Sequence, residues 1–186
     1  MKTDETLVTE YLQGDELALR ELIERYAQPI FSFVRRLVGD RALAEDIAQE
    51  VFVRAWRQLR SFRTKENFKP WLFAIARNAA IDALRKKRTL VFSDVNVPDD
   101  NESDFAETLS DPAPLPDELF ANRELGKLLE TALISLSPDA RAVLLLHYTE
   151  GLTFEEIAVA LGKPMNTVKS WHRRALLGLR KQLTKP

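Results

Sequence analysis

Residues 94–117 divide the chain. Pro98, Pro112, Pro114 and Pro116 stand there among aspartates and glutamates with few large apolar groups, so the segment cannot bury enough surface to repay the entropy of ordering. One continuous core through all 186 residues is therefore excluded, and the chain reads as two small folded blocks joined by a linker. Charge follows the same division. The formal net charge is −1, yet residues 1–90 hold 17 Lys/Arg against 13 Asp/Glu, residues 91–118 hold nine acids and no base, and residues 119–186 hold ten bases against six acids. Two mildly basic blocks thus flank an acidic strip. Their basic residues cluster as Arg85-Lys86-Lys87-Arg88 and, beyond Glu156, as Lys163, Lys169, Arg173, Arg174, Arg180, Lys181 and Lys185 with no further acid. Either run can meet phosphate or can simply be a solvated helix end.

Several function classes drop out at this level. With no cysteine the chain has no disulfide framework, thiolate zinc site or cysteine nucleophile, as expected of a protein kept in a reducing cytoplasm, and two histidines leave little for metal chemistry. The longest aliphatic run, Val143 to Leu146, is far short of the ~20 residues that span a bilayer, so no membrane insertion is expected. The first residues carry Asp4 and Glu5 where an export signal needs a basic start and an apolar block.

On both sides of the linker the apolar residues recur at helical spacing, and no run alternates with period two for long enough to make a strand, so the fold is expected to be all-α. Asp15 is placed to cap a helix through Tyr26, and Pro29 is expected to kink or break it before Phe31 to Val38. Asp40 caps the next helix, to about Leu59, residues 60–68 read as a loop, and Pro70 suits the first turn of a helix reaching Lys87. After the linker, helices are expected near 118–135, 139–149, 153–161 and 165–183, punctuated by Ser137-Pro138, Gly151 and Gly162. The expected domains are 1–92 and 118–186, with 93–117 between them.

The run from Phe154 to Trp171 carries a helix-turn-helix pattern: small Ala158 where two helices touch, Gly162 in the turn, and Val168 facing back onto the first helix. Thr153 with Glu156 adds a capping box. At 100° per residue Trp171, Ala175 and Leu179 turn inward, whereas Asn166, Ser170 and Arg173 point out with Thr167, Lys169 and Arg174 beside them. Asn and Arg can make bidentate contacts to base edges, and Lys and the flanking Arg suit phosphate. His172 lies near the inward stripe, where packing is the expected role.

In the first block, Ala44, Ala48, Val51, Phe52, Ala55 and Leu59 form an apolar face, and Asp46, Gln49, Glu50 and Arg57 a polar stripe that could be plain solvated surface. On the following helix Leu72, Phe73, Ala76, Ala80, Ala83 and Leu84 share one arc, and Trp71, Asn78, Asp82 and Arg85 another. An exposed Trp beside Asn and Arg, next to a loop holding Phe62 and Phe68 and ahead of a basic run, suits stacking on single-stranded nucleic acid.

Three motifs together resemble one family. Ala44-Glu45-Asp46-Ile47-Ala48-Gln49-Glu50 with Arg54 and Trp56, then Phe68, Trp71, Ile75, Arg77, Asn78, Asp82 and Arg85, then Gly151, Thr153, Glu156, Ala158, Gly162 and Thr167-Val168-Lys169-Ser170 resemble bacterial sigma factors of the extracytoplasmic-function group in the sigma-70 family. The resemblance covers most of the chain. It implies a helical sigma-two domain, which binds the RNA polymerase clamp and opens the minus-ten promoter element, joined to a sigma-four domain that reads the minus-thirty-five element. Carried over by position, Asp46, Gln49 and Glu50 fall on the clamp-binding helix, residues 60–68 on the loop that captures an extruded base, and Phe62, Phe68, Trp71, Asn78, Asp82 and Arg85 on the minus-ten surface. Asn166, Thr167, Lys169, Ser170, Arg173 and Arg174 fall on the minus-thirty-five reading helix. The acidic linker matches a segment that in the family threads toward the polymerase active centre. The implied partners are core RNA polymerase, promoter DNA and, because relatives often have one, an inhibitory anti-sigma protein, with no catalytic centre, metal or cofactor. Where many relatives carry arginines and a large apolar residue in the reading helix, this chain has Trp171, His172 and Leu176.

Two rival readings have discriminating features. A free-standing helix-turn-helix regulator with a ligand-sensing or dimerising first domain has no need of the Trp71, Asn78, Asp82 and Arg85 face followed by a basic run. An enzyme that uses the motif only to find its site would have to draw metal ligands from Asp99, Asp100, Glu102 and Asp104, which lie in the proline-flanked strip with no scaffold to fix their geometry.

Overall fold

The computed structural model describes residues 2–62, 67–91 and 123–183, and every regular element in them is helical. The linker 93–117, the centre of the 60–68 loop and Lys185 fall outside the described residues. Eight α-helices follow in order: α1 Asp4–Leu12, α2 Glu16–Val38, α3 Arg41–Gln58, α4 Phe68–Val91, α5 Arg123–Ile134, α6 Pro138–Tyr148, α7 Phe154–Leu161 and α8 Met165–Leu183. A single 3₁₀ turn, Leu59–Ser61, ends α3.

The N-terminal bundle packs α2 against α3, α3 against α4 and α1 across α2. The helix starts follow their caps: Asp15 accepts from the Leu17 N–H at 2.9 Å, and Asp40 from the Leu43 N–H at 3.2 Å. Of the kink or break expected at Pro29, the break does not occur: α2 runs continuously through it. The proline forfeits the bond its N–H would give to the Arg25 carbonyl, at a cost of about 3 kcal/mol. Tyr26, Ile30, Phe33, Val34 and Leu37 remain buried on one unbroken face, and burial of each is worth about 1.5–3 kcal/mol, so the packed helix prevails. α2 then stops at Gly39, whose φ of 75° is the left-handed cap a glycine accepts without strain.

Helix α1 is the element that helical spacing did not announce. It is held by tertiary contacts: Leu7 and Val8 are fully buried, and Asp4 takes hydrogen bonds from Arg25 and Tyr26. Burial and that carboxylate push the Tyr26 phenol well above its ordinary pKa. Glu5 reaches the other way and accepts the Phe68 N–H at 3.1 Å, which satisfies an otherwise unpaired donor at the start of α4.

In the C-terminal block α6 and α5 pack on α8, and α7 on α8. Ser137 caps α6, and Thr153 and Glu156 make the reciprocal capping box of α7. The Thr153 N–H holds the Glu156 carboxyl below its ordinary pKa. Gly162, φ 59°, makes the turn into α8. Among the described residues no helix is long and apolar enough to cross a membrane.

Candidate nucleic-acid interface

Three exposed stripes emerge from this scaffold. On α3, Ala44, Ile47, Ala48 and Val51 are buried, which turns Asp46, Gln49 and Glu50 to solvent. Glu50 accepts from Arg54 at 2.7 Å and 3.1 Å, and the same guanidinium lies 3.9 Å from Asp82 on α4. The α3 and α4 stripes therefore adjoin, with Arg54 as the bridge between their carboxylates.

Beyond Gln49 the α3 surface becomes apolar. Val53 and Trp56, four and seven residues further on, are 44% and 57% exposed, and with Leu19, Ile23 and Phe52 they line a cleft between α2 and α3. The Trp56 indole N–H donates to the Tyr11 hydroxyl. Sequence reasoning did not single out Ile23, Val53 or Trp56 as surface. The available signal was that Val53 and Trp56 fall outside the Ala44, Val51 and Ala55 arc while keeping register with Gln49.

On α4 the residues expected to form one face do so in part. Asn78, Asp82 and Arg85 are exposed and Trp71 is half-buried. Phe62 and Phe68 correct the expectation of an open aromatic loop: they are 7% and 4% exposed and belong to the core. Their ring centroids lie 5.7 Å apart, edge to face, and each lies within 5.5 Å of Trp71, at 5.0 Å for Phe62 and 5.5 Å for Phe68. Tyr26 adds a further edge contact to Phe68 at 5.6 Å. Phe68 sits one turn before Leu72 on the buried face of α4, so helical geometry carries it inward. The two phenylalanines back the Trp71 ring rather than offer faces of their own. Of the three rings only Trp71 keeps partial exposure, on the same helix as the exposed Asn78, Asp82 and Arg85.

On α8, Val168, His172, Ala175, Leu176 and Leu179 are buried. Asn166, Lys169, Ser170 and Arg174 are exposed, and Thr167 and Arg173 are half-buried at the margins. His172 is a packing residue: its Nε2 lies 3.0 Å from the Tyr148 hydroxyl, and its ring meets Phe154 edge-on at 5.0 Å. Trp171 is half-buried and packs against the core. The positions that depart from the expected pattern thus face the protein in whole or part, and the polar face is contiguous, with no carboxylate among Asn166, Thr167, Lys169, Ser170, Arg173 and Arg174. Such a face suits a duplex groove: amide and guanidinium for base edges, with lysine and arginine for phosphate. The α4 stripe, with an aromatic edge and a carboxylate, suits unpaired bases better than a phosphate ridge.

Comparison with known proteins matches both blocks. Sigma-70 region 2 matches residues 22–89 and Sigma-70, region 4 matches residues 126–179. The chain is similar to ECF RNA polymerase sigma factor SigW of Bacillus subtilis, 32% identical over 92% of this chain and 91% of that protein. It is likewise similar to the ECF RNA polymerase sigma-E factor of Escherichia coli, 34% identical over 90% and 87%. Among solved structures it is similar to the sigma factor RpoE from Bartonella quintana, determined in complex with the anti-sigma factor NepR, at TM-score 0.65 and 27% identity over 89% of this chain and 96% of that one. The fold also matches CnrH, determined in complex with the cytosolic domain of CnrY, at TM-score 0.71 and 22% identity over 98% and 97%.

Proposed function

This chain belongs to the ECF RNA polymerase sigma factors, which makes it a transcription initiation factor, and we propose that it divides that work among three surfaces. Residues 1–92 form the polymerase-binding and minus-ten unit, residues 118–186 the minus-thirty-five unit, and the acidic strip 93–117 the connection between them. Asp46, Gln49 and Glu50 on α3, continued by the exposed Val53 and Trp56, meet the clamp of core polymerase. Trp71, Asn78, Asp82 and Arg85 receive the opened minus-ten strand, with Phe62 and Phe68 buttressing Trp71 from within the core. Asn166, Ser170 and Arg173 read minus-thirty-five base edges, flanked by Thr167, Lys169 and Arg174 on the backbone.

The observation that carries this reading is the coexistence, in one chain, of an aromatic-backed face on α4 and an acid-free face on the recognition helix of α7 and α8. A duplex-binding regulator needs the second alone. The factor performs no bond chemistry: polymerase supplies the catalysis, in the cytoplasm, and the factor supplies position. An anti-sigma protein, as found with the Bartonella RpoE, is a natural third partner. Run-off transcription with core polymerase over a genomic library tests the reading. It predicts new start sites that share two spaced elements; transcripts identical with and without the factor would refute it.

A further inference from the structure

The two histidines of the chain, His147 near the end of α6 and His172 in the middle of α8, meet in one aromatic cluster with Tyr148 and Phe154. The His147 ring lies flat on Phe154, centroids 4.6 Å apart at 17°, and its Nδ1 is 2.8 Å from the Leu152 carbonyl. A carbonyl only accepts, so that nitrogen carries a proton and donates. The His172 ring stacks on Tyr148 at 5.6 Å and 26°, meets His147 edge-on at 5.5 Å, and sets Nε2 3.0 Å from the Tyr148 hydroxyl. The cluster ties the last turn of α6, the loop through Leu152 and the first turn of α7 to one point on α8.

His172 is only 6% exposed. An apolar side chain could fill such a site, whereas a buried imidazole costs free energy unless its nitrogens are hydrogen-bonded. What the imidazole adds is direction. The other buried anchors of α8, Val168, Ala175, Leu176 and Leu179, are apolar, and apolar burial has no directional term of its own. A hydrogen bond weakens steeply as its angle closes. The Tyr148 end of this bond is braced in turn, because His147 meets the Tyr148 ring edge-on at 4.9 Å while pinned to the Leu152 carbonyl.

The consequence falls on the opposite face of the helix. With side chains reaching a radius of about 5–6 Å, a rotation of α8 by about 20° carries an outward group through about 2 Å. Hydrogen-bond lengths span only about 0.5 Å, so a bidentate contact to a base edge would not survive that turn. We propose that Tyr148 and His172 are positioning residues for the minus-thirty-five element: their hydrogen bond sets the rotation of α8 about its axis and so decides which base edges Asn166 and Arg173 reach. The inference rests on the duplex-reading role proposed above for α8. Neither positioning residue touches DNA; each acts through the side chains of the polar face.

The test uses the full chain bound to core polymerase. It measures closed-complex affinity for a promoter and for versions with one base pair changed in the minus-thirty-five element, including the pair whose discrimination Asn166→Ala removes. Tyr148→Phe deletes one oxygen and keeps the ring. It should lower the discrimination ratio at that pair at least about three-fold, the scale of one net hydrogen bond, with an unchanged circular dichroism spectrum. Adding Tyr148→Phe to Asn166→Ala should lower the ratio little further, because the hydroxyl acts through Asn166. His172→Gln, which keeps a polar atom near the position of Nε2, should retain more discrimination than His172→Leu. With only two histidines in the chain, their imidazole nitrogen resonances are readily told apart, and Tyr148→Phe should shift the His172 Nε2 signal in the free factor. An unchanged ratio in folded Tyr148→Phe overturns the proposal. So does an equal loss of affinity on matched and changed promoters, which would make the pair a support of the domain alone. Failure of the reading beneath it looks different: Asn166→Ala and Arg173→Ala, with Tyr148 and His172 intact, would leave every ratio at the parental value, and the inference would fall with that reading.

Discussion

The α4 stripe and the α8 face present polar side chains on a single helix each, yet they are built in opposite ways. α8 is a thin element, with Val168, His172, Ala175 and Leu179 anchoring one side and a contiguous polar set on the other. Its polar face is carried mainly by the exposed Asn166, Lys169, Ser170 and Arg174, so the reading proposed for it allows their exchange one at a time. In α4 the key surface residue, Trp71, is half-buried against Phe62 and Phe68, and through Phe68 it is coupled to Tyr26 of α2 and to the Glu5 cap from α1. A reader of intact duplex can be modular. A surface proposed to hold a base pulled from its stack needs a rigid platform, and the backing of Trp71 is continuous with the domain core.

The contrast can be broken most sharply at Phe68. Phe68→Ala should cost about 3–5 kcal/mol of stability, which lowers the melting temperature of the N-terminal block by ten degrees or more. A melting curve that matches the parent would show the platform is not core. A smaller effect is expected on α8. Asn166→Ala should lose about 1–3 kcal/mol of discrimination at one base pair, whereas Arg174→Ala should reduce the log–log salt slope by about 0.9 and leave sequence preference intact. Titrations on promoter variants at several salt concentrations check both.

Smaller again is the cap that starts α7. Thr153→Ala should cost about 1 kcal/mol. Because the Glu156 carboxyl is held below its ordinary pKa in the folded chain, its share of the capping box is present at neutral pH and is lost as pH falls through that lowered value. Denaturation curves of parent and Glu156→Gln should therefore converge in acid, whereas Thr153→Ala keeps the residue-153 N–H and loses chiefly the Glu156 N–H bond to the hydroxyl, so its deficit should persist. The smallest stability change belongs to α3: Asp46→Ala and Gln49→Ala should alter stability within about 0.5 kcal/mol while weakening binding to core polymerase several-fold. Equal affinity of parent and variants would remove the clamp assignment.

Much of this architecture is legible in the chain because its helix boundaries are written locally. Asp40, Ser137-Pro138, Thr153 with Glu156, and Gly162 each act within three or four residues of themselves, and the helices start and stop where they stand. What was not legible is what distance decides. Pro29 is a breaker by local rule, overridden by the buried face of a 23-residue helix. Helix α1 depends on Asp4 meeting Arg25 and Tyr26, and Glu5 meeting Phe68. Phe62 and Phe68 looked like loop aromatics beside Trp71, and only the packed bundle turns them inward. The two blocks also meet through residues 62 and 104 positions apart, Arg77 with Asp139 and Arg141 with the Leu37 carbonyl, and no periodicity announces such pairs.

The central claim is that one face opens DNA and the other reads it closed. Permanganate reactivity of minus-ten thymines, measured with Trp71→Ala and Asn166→Ala holoenzymes on an intact promoter and on one mismatched across the minus-ten element, tests it most directly. Loss of base stacking at Trp71, about 1–3 kcal/mol per base, should leave closed-complex formation largely intact and slow opening of the intact promoter about ten-fold or more. The premelted template, where unpairing is already done, should restore much of the activity of Trp71→Ala and none of the recognition lost by Asn166→Ala. A folded Trp71→Ala variant that opens the intact promoter as fast as the parent would contradict the account.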